Sequence, residues 1–250
     1  MAFTVIIPAR LGSQRLPGKV LLDIAGKPMI QRVYEQASLS DAASVLVATD
    51  DERVAEVVRT FGGRVCMTAA SHVSGTDRLQ EVAAREGLAA DALVVNVQGD
   101  EPLMPAAVIN QLAQNLATSN AAMATLYETT SDLNDILDPN VVKVVTDAEQ
   151  RALYFSRAPI PWARDDFSAQ PPRLPAGVTY KRHLGIYGYR VELLHRFVAW
   201  PPAPLELVEK LEQLRVLWHG ESIHIEAACE AIPPGIDTEQ DLARVRALFL

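Results

Sequence analysis

The chain has 250 residues, 49% of them hydrophobic, which is enough for a sizeable core and argues against global disorder. A formal net charge of −8 argues against general affinity for nucleic acid or an anionic membrane surface, since both need a basic face. Cys66 and Cys229 lie far apart without CxxC spacing and read as small hydrophobes in a reducing compartment. No run approaches the ~18 apolar residues of a membrane span and no signal-peptide pattern opens the chain, so a soluble cytoplasmic protein is expected.

Phe3–Ile7 reads as a buried strand. It runs into a loop with three cations, Arg10, Arg15 and Lys19, and two glycine hinges, Gly12 and Gly18. A rigid strand end feeding a basic, glycine-punctuated turn suits a highly anionic ligand, because guanidinium forks grip phosphate oxygens and lysine adds a point charge. Next, Pro28 opens a helix with Ile30, Val33, Tyr34 and Ala37 at helical spacing. Ser44–Thr49 is a short buried strand ending at Asp50 and Asp51. Val54, Val57, Val58 and Phe61 mark a helix closed by Gly62 and Gly63, and Arg64–Met67 is a short strand. The polar loop 68–76 opens a helix carrying Leu79, Val82 and Ala83. Ala92–Val97 is a third strong strand, ending in Gln98-Gly99-Asp100-Glu101-Pro102, and a helix with Val108, Ile109, Leu112 and Leu116 follows. Strands alternating with helices over about the first 120 residues predict a parallel sheet with right-handed crossovers.

The regular pattern then stops. Strands are expected at Ala122–Glu128, Val141–Val145, His183–Arg190 and Ser222–Ala227, an exposed loop at 164–181, a helical stretch at 205–218 and a last helix burying Leu242, Val245, Leu248 and Phe249. This organisation suggests one domain over 1–250. About 1–120 forms the regular α/β half and about 121–230 looks like a lid or substrate lobe, with 231–250 a returning C-terminal helix. Ligands of open α/β sheets bind beyond the carboxyl ends of the strands, so Arg10–Lys19, Asp50, Ser74–Asp77 and Gln98–Asp100 should gather at one edge.

Several chemistries lack their motifs. Gly18-Lys19 is followed by Val20 and is not a Walker A loop. There is no GxGxxG for a dinucleotide, no GxSxG elbow, and the five histidines have no zinc spacing. Asp100, at a strand end, is placed to hold Mg²⁺, which favours one or two carboxylates plus phosphates and waters. Asp237 precedes the last helix, where an N-cap accounts for it well. Arg157, His183, Tyr187, Glu212 and Gln213 are scattered polar residues whose individual spacing fits structural roles, Glu212 and Gln213 as the solvated face of a helix.

Taken together, Val5–Lys19 (VIIPARLGSQRLPGK), Gly26–Ile30, Val47–Asp50, Ser74–Arg78 (SGTDR), Val95–Pro102 (VNVQGDEP), Tyr154–Pro161, His183–Tyr189 (HLGIYGY), Leu211–Leu217 (LEQLRVL) and Gly235–Thr238 (GIDT) resemble the 3-deoxy-manno-octulosonate cytidylyltransferases, also called CMP-Kdo synthetases. The start alone would also suit CMP-sialic acid synthetases; HLGIYGY with LEQLRVL favours the Kdo enzymes. The resemblance implies a three-layer α/β nucleotide-diphospho-sugar-transferase-like fold with a mostly parallel sheet, and a homodimer. It also implies transfer of CMP from CTP to Kdo with release of pyrophosphate, for lipopolysaccharide synthesis. By the same resemblance, Arg10, Arg15 and Lys19 take the β- and γ-phosphates and Mg²⁺ is held by Asp100 and Asp237. Ala70, Ser74, Arg78 and Gln98 map to the cytosine and ribose pocket. Arg157, His183, Tyr187, Glu212 and Gln213, with Gln98, map to the sugar acid.

Overall fold

A computed structural model describes residues 2–12, 16–72, 74–171 and 173–249. The first half follows the predicted alternation. In order come β1 (Phe3–Pro8), the small hairpin β2 (Asp23–Ile24) and β3 (Lys27–Pro28), α1 (Met29–Ala37), β4 (Ser44–Thr49), α2 (Glu52–Thr60), β5 (Val65–Met67), α3 (Gly75–Arg85), β6 (Leu93–Asn96) and α4 (Ala106–Thr118). The second half adds β7 (Met123–Thr130), α5 (Leu133–Leu137), β8 (Lys143–Thr146), β9 (Ala152–Ser156), α6 (Arg164–Phe167), β10 (Tyr180–Arg190), α7 (Val191–Ala199), α8 (Pro204–Glu209), α9 (Leu214–Trp218), β11 (Ile223–Ala227) and α10 (Glu239–Ala247).

Among the described residues one sheet carries nine strands in the order β11-β7-β10-β6-β1-β4-β5, with β8 attached to β10 and β9 to β8. The pairs β1–β4, β1–β6, β4–β5 and β11–β7 are parallel, whereas β10 runs antiparallel to β6 and β7. The pleat sends alternate residues to opposite faces. Val5, Ile7, Val47 and Val95 pack under α1, α2 and α4, while Ile6, Ala48, Val94 and Tyr189 pack under α3 and α7. Three layers, helix on sheet on helix, follow from that alternation.

Three local features differ from expectation. The helical stretch 205–218 is two short helices, because Lys210 adopts a left-handed φ of 55° that ends α8. The 164–181 segment is not all exposed: Phe167 and Tyr180 pack with Ile136 in a small cluster of their own. Of the cysteines, both free, Cys66 is buried as expected, but Cys229 is exposed.

Two arrangements place the site. A register row runs Ile6, Asn96, Tyr187, Thr125 across four adjacent strands, so β10 lies directly beside the strand that delivers Gln98–Asp100. At the other end, α10 buries Leu242 and Val245 against Leu16, Ile24, Met29 and Ile236, which returns the C-terminal segment to the loop after β1. No helix among the described residues is long and apolar enough to cross a membrane.

Candidate active site

The loop after β1 passes through Gly18 at φ 67°, a left-handed conformation that suits glycine, and a 3-10 turn begins at Lys19. This turn aims the Lys19 ammonium at two carboxylates from distant parts of the chain. It donates to Asp100, to Asp237 Oδ1 at 3.1 Å and to the Ile236 carbonyl at 3.3 Å. Burial works against the ammonium, but its bonds to Asp100 and Asp237 outweigh that and hold its pKa above the ordinary lysine value. The Ile236 N–H donates to the Asp100 carbonyl at 2.9 Å, fixing the two acidic segments to each other. Thr238, not Asp237, caps α10: its hydroxyl oxygen accepts the Asp241 N–H at 3.1 Å, and the Asp241 carboxylate accepts the Thr238 N–H at 3.0 Å. Asp237 is therefore released from capping and turned to Lys19. Beside this trio, burial and then the charge of Asp100 push the Glu101 carboxyl up to about 8. Its buried Oε2 has no hydrogen-bond partner among the described residues. These residues place a cation between two carboxylates. Among the described residues, no group of three or more His, Cys, Asp or Glu could hold a metal alone.

A cavity of about 200 Å³ opens next to this cluster, lined by Pro8, Arg10, His72, Ser74, Gly75, Arg78 and Gln98. Arg78 is buried on α3, where it bonds Thr68 and reaches Asp50 Oδ2 at 3.4 Å. Ser74 caps α3 in a capping box with Asp77. His72 is held by Glu81, with Nε2 to Oε2 at 2.5 Å, and the Ala69 N–H donates to the same carboxylate at 2.8 Å. Gly99 lets the end of β6 approach β1 closely: a Cβ there would stand 2.9 Å from the Pro8 carbonyl oxygen.

On the other side of β6, His183 and Tyr187 of β10 lie with ring centroids 5.5 Å apart. His183 is buried, its Nε2 3.0 Å from Thr125 Oγ1, and burial pushes its imidazole down to about 3. Burial also raises the phenols of Tyr187 and Tyr189 above the ordinary tyrosine value. Glu212 and Gln213 do not form a solvated helix face. Gln213 is 5% exposed, and burial raises the pKa of the Glu212 carboxyl, which accepts a hydrogen bond from Thr76. A register shift in β10 between Leu184 and Tyr187 leaves Gly185 exposed at this place.

The comparisons bear on what this geometry serves. A family model described as cytidylyltransferase matches residues 4–223. A protein of Cellvibrio japonicus named 3-deoxy-manno-octulosonate cytidylyltransferase is 60% identical, over 100% of this chain and 98% of the relative. One of the same name from Pseudomonas syringae pv. syringae is 58% identical, over 99% and 98%. The chain belongs to the 3-deoxy-manno-octulosonate cytidylyltransferase family. The solved structure of a CMP:2-keto-3-deoxy-manno-octonic acid synthetase complexed with CTP superposes with a TM-score of 0.88 at 44% identity, covering 99% of this chain and 98% of that one. The three-layer nucleotide-diphospho-sugar-transferase-like architecture agrees with that match.

Most of the site residues expected from this family's motifs fall into three groups in the structure. Arg10, Ser74, Arg78 and Gln98 line one cavity. Lys19, Asp100 and Asp237 form one hydrogen-bonded cluster. His183 and Tyr187 adjoin each other, with the Glu212 charge acting on Tyr187. Ala70 sits exposed in the turn before α3, off the cavity lining. The Arg157 guanidinium donates to the carbonyls of Glu209 at 2.7 Å and Pro139 at 2.9 Å. Arg15 lies outside the described residues. Sequence reasoning assigned no role to His72, Thr76, Glu101 or Glu209. Thr76 and Glu101 sit inside recognised motifs and were within reach. Glu209, whose carboxylate collects Ser156 Oγ at 2.6 Å and the Arg157 N–H at 3.0 Å, is revealed only by tertiary contact.

Proposed function

We propose that this chain transfers CMP from CTP to the anomeric hydroxyl of Kdo, releasing pyrophosphate and giving the activated sugar for lipopolysaccharide synthesis. The observation that carries this is the junction on one sheet edge. A polar cavity with Arg10, Ser74, Arg78 and Gln98 shares the loop after β6 with the Lys19–Asp100–Asp237 cluster, and the helix start at Ser74–Thr76 with Glu212. Relatives 58–60% identical that carry the Kdo enzyme's name support Kdo over sialic acid as acceptor.

The cavity residues serve cytidine: Gln98 and Ser74 offer hydrogen bonds, and Arg78, held by Thr68 and Asp50, is a rigid donor. Arg10, Arg15 and Lys19 take the triphosphate and the charge that grows on departing pyrophosphate, the kind of preorganised stabilisation that dominates phosphoryl-type transfer. Asp100 and Asp237 hold Mg²⁺. Their fit rests on an observation of this structure: both already converge on one cation, the Lys19 ammonium, and two carboxylates with phosphate oxygens and waters are the donors Mg²⁺ favours. When bound, the ion neutralises triphosphate charge. His183, Tyr187, Glu212 and Gln213 orient the sugar acid's hydroxyls, and Arg157 serves its carboxylate.

The enzyme acts as a homodimer. Support comes from Leu153 on the outer strand β9 and from Leu205, Leu207 and Val208 on α8, which are exposed apolar residues on elements joined by Tyr154 and Glu209 at 3.5 Å. A coupled pyrophosphate-release assay with CTP, Mg²⁺ and either Kdo or sialic acid tests the function. Release is expected with Kdo; a chain active on sialic acid and silent with Kdo sinks the assignment.

A further inference from the structure

Thr76 occupies the first turn of α3, directly after the Ser74 and Gly75 that line the cytidine-side cavity, and it is 4% exposed. Among the described residues its hydroxyl does not bond back to its own helix. It donates to Glu212 Oε1, 136 positions away in the segment between α8 and α9. Tyr189 of β10 lies near the same threonine, and Ser74 lies near Glu212. The nearest guanidinium, that of Arg215, is not free to take over: Glu206 grips it with both oxygens, at 2.8 and 2.5 Å. The hydrogen bond that orients Glu212 thus comes from the Thr76 hydroxyl at the start of α3, while Arg215 acts on it by charge alone. A carboxylate has about four lone-pair directions, so one well-placed donor fixes its plane and still leaves acceptor capacity for a ligand.

We propose that Thr76 is a positioning residue for sugar-acid binding, its hydroxyl holding the Glu212 carboxylate in the orientation that receives the acceptor's hydroxyls and tying that orientation to the nucleotide-side wall of the site. The proposal rests on the assignment of Glu212 to the sugar acid made above. Thr76 itself touches neither substrate. Its loss lets Glu212 rotate out of the sugar pocket, whereas the cavity formed by Arg10, Arg78 and Gln98 keeps its lining.

The test is steady-state kinetics of Thr76→Val, Thr76→Ser, Glu212→Gln and the Thr76→Val/Glu212→Gln double variant, with Kdo and CTP varied separately. Loss of a hydrogen bond to a charged group is expected to raise the KM for Kdo by about tenfold or more in Thr76→Val, with the KM for CTP within about twofold of wild type. Thr76→Ser, which keeps the hydroxyl, should restore the Kdo KM to within about twofold of wild type, and the double variant should be no worse than Glu212→Gln alone, because residues acting as one unit are non-additive. Thr76→Ala replaces Thr76→Val if the β-branched variant does not fold. The proposal is overturned if removal of the hydroxyl leaves the Kdo KM unchanged while Glu212→Gln raises it. It is equally overturned if both KM values rise together, or if the two changes add. An unchanged Kdo KM in Glu212→Gln removes the assignment of Glu212 itself, a result distinct from failure of Thr76 alone.

Discussion

Replacing Lys19 by methionine should make metal binding tighter and catalysis slower in the same protein. The ammonium, its side chain 14% exposed, is shared by Asp100, 27% exposed, and Asp237, 46% exposed. A charge-assisted bond at the more buried partner contributes about 1.5–3 kcal/mol, whereas the half-exposed one adds at most about 1 kcal/mol after solvent screening. A divalent ion binding these carboxylates without nucleotide must displace roughly 2–3 kcal/mol of lysine interaction, which corresponds to about 30- to 100-fold in affinity. Lys19→Met should therefore bind Mn²⁺, used as a paramagnetic substitute for Mg²⁺, about 30- to 100-fold more tightly in the absence of CTP. Turnover should fall by at least ~10²-fold, the scale of losing one preorganised charge. Electron paramagnetic resonance titration of free Mn²⁺ reads the first effect and pyrophosphate release the second. Unchanged or weaker Mn²⁺ binding in the variant would refute the idea that the lysine and the metal compete for one pair of carboxylates.

Other expectations follow from single contacts. Gly99→Ala puts a Cβ 2.9 Å from the Pro8 carbonyl oxygen. It should cost about 1–3 kcal/mol in urea denaturation and raise the KM for CTP more than that for Kdo; an unaltered CTP KM would argue against the close approach shaping the cavity. His183, pushed down to about 3 from 6.5 by burial, takes up a proton only in the unfolded chain between those values, so its contribution to stability falls as pH drops through that window. His183→Asn should accordingly lose about 3 kcal/mol less than wild type between pH ~7 and ~4, and parallel pH profiles would contradict this. For Glu101, raised from 4.5 to about 8, the unfolded chain releases a proton that the folded chain keeps. Its contribution is full below 4.5 and is lost as pH rises toward 8. Glu101→Gln should exceed wild-type stability by at least about 2 kcal/mol near pH ~8 and not near pH ~4, as measured by chemical denaturation at the two values; equal stability at the higher pH would speak against a buried, uncompensated carboxyl.

The alternating half of the fold was legible because strands such as Ser44–Thr49 and Leu93–Asn96 carry continuous apolar runs, Val45–Ala48 and Leu93–Val95, with Asp50 directly after the first and Gly99-Asp100 shortly after the second, the pattern of strands covered on both faces. Other elements escaped, α7 and β9 among them. β10 passes straight into α7 at Arg190 and Val191 with no glycine or proline to mark the change, and β9 is an edge strand whose Leu153 faces outward. The break at Lys210 was hidden too, since a non-glycine residue takes the left-handed conformation there. In the site, the basic loop and the GDEP and GIDT motifs identified Lys19, Asp100 and Asp237 singly. Their union depends on α10 packing back across the molecule, a contact between positions 19, 100 and 237 that no local pattern encodes. The bond from Thr76 to Glu212 is of the same kind.

The position of β10 also has a consequence for biosynthesis. β6 is complete at Asn96, but its neighbour on one side, β10, starts at Tyr180. A ribosome needs roughly 5–15 s to add the intervening residues, and during that interval the nascent sheet presents an unpaired, strongly apolar edge. The parallel half of the sheet cannot be sealed before β10 arrives. Translation pauses or truncations between these points should therefore yield aggregation-prone fragments rather than a folded N-terminal piece, and slower elongation through this stretch should increase dependence on chaperones that shield strand edges.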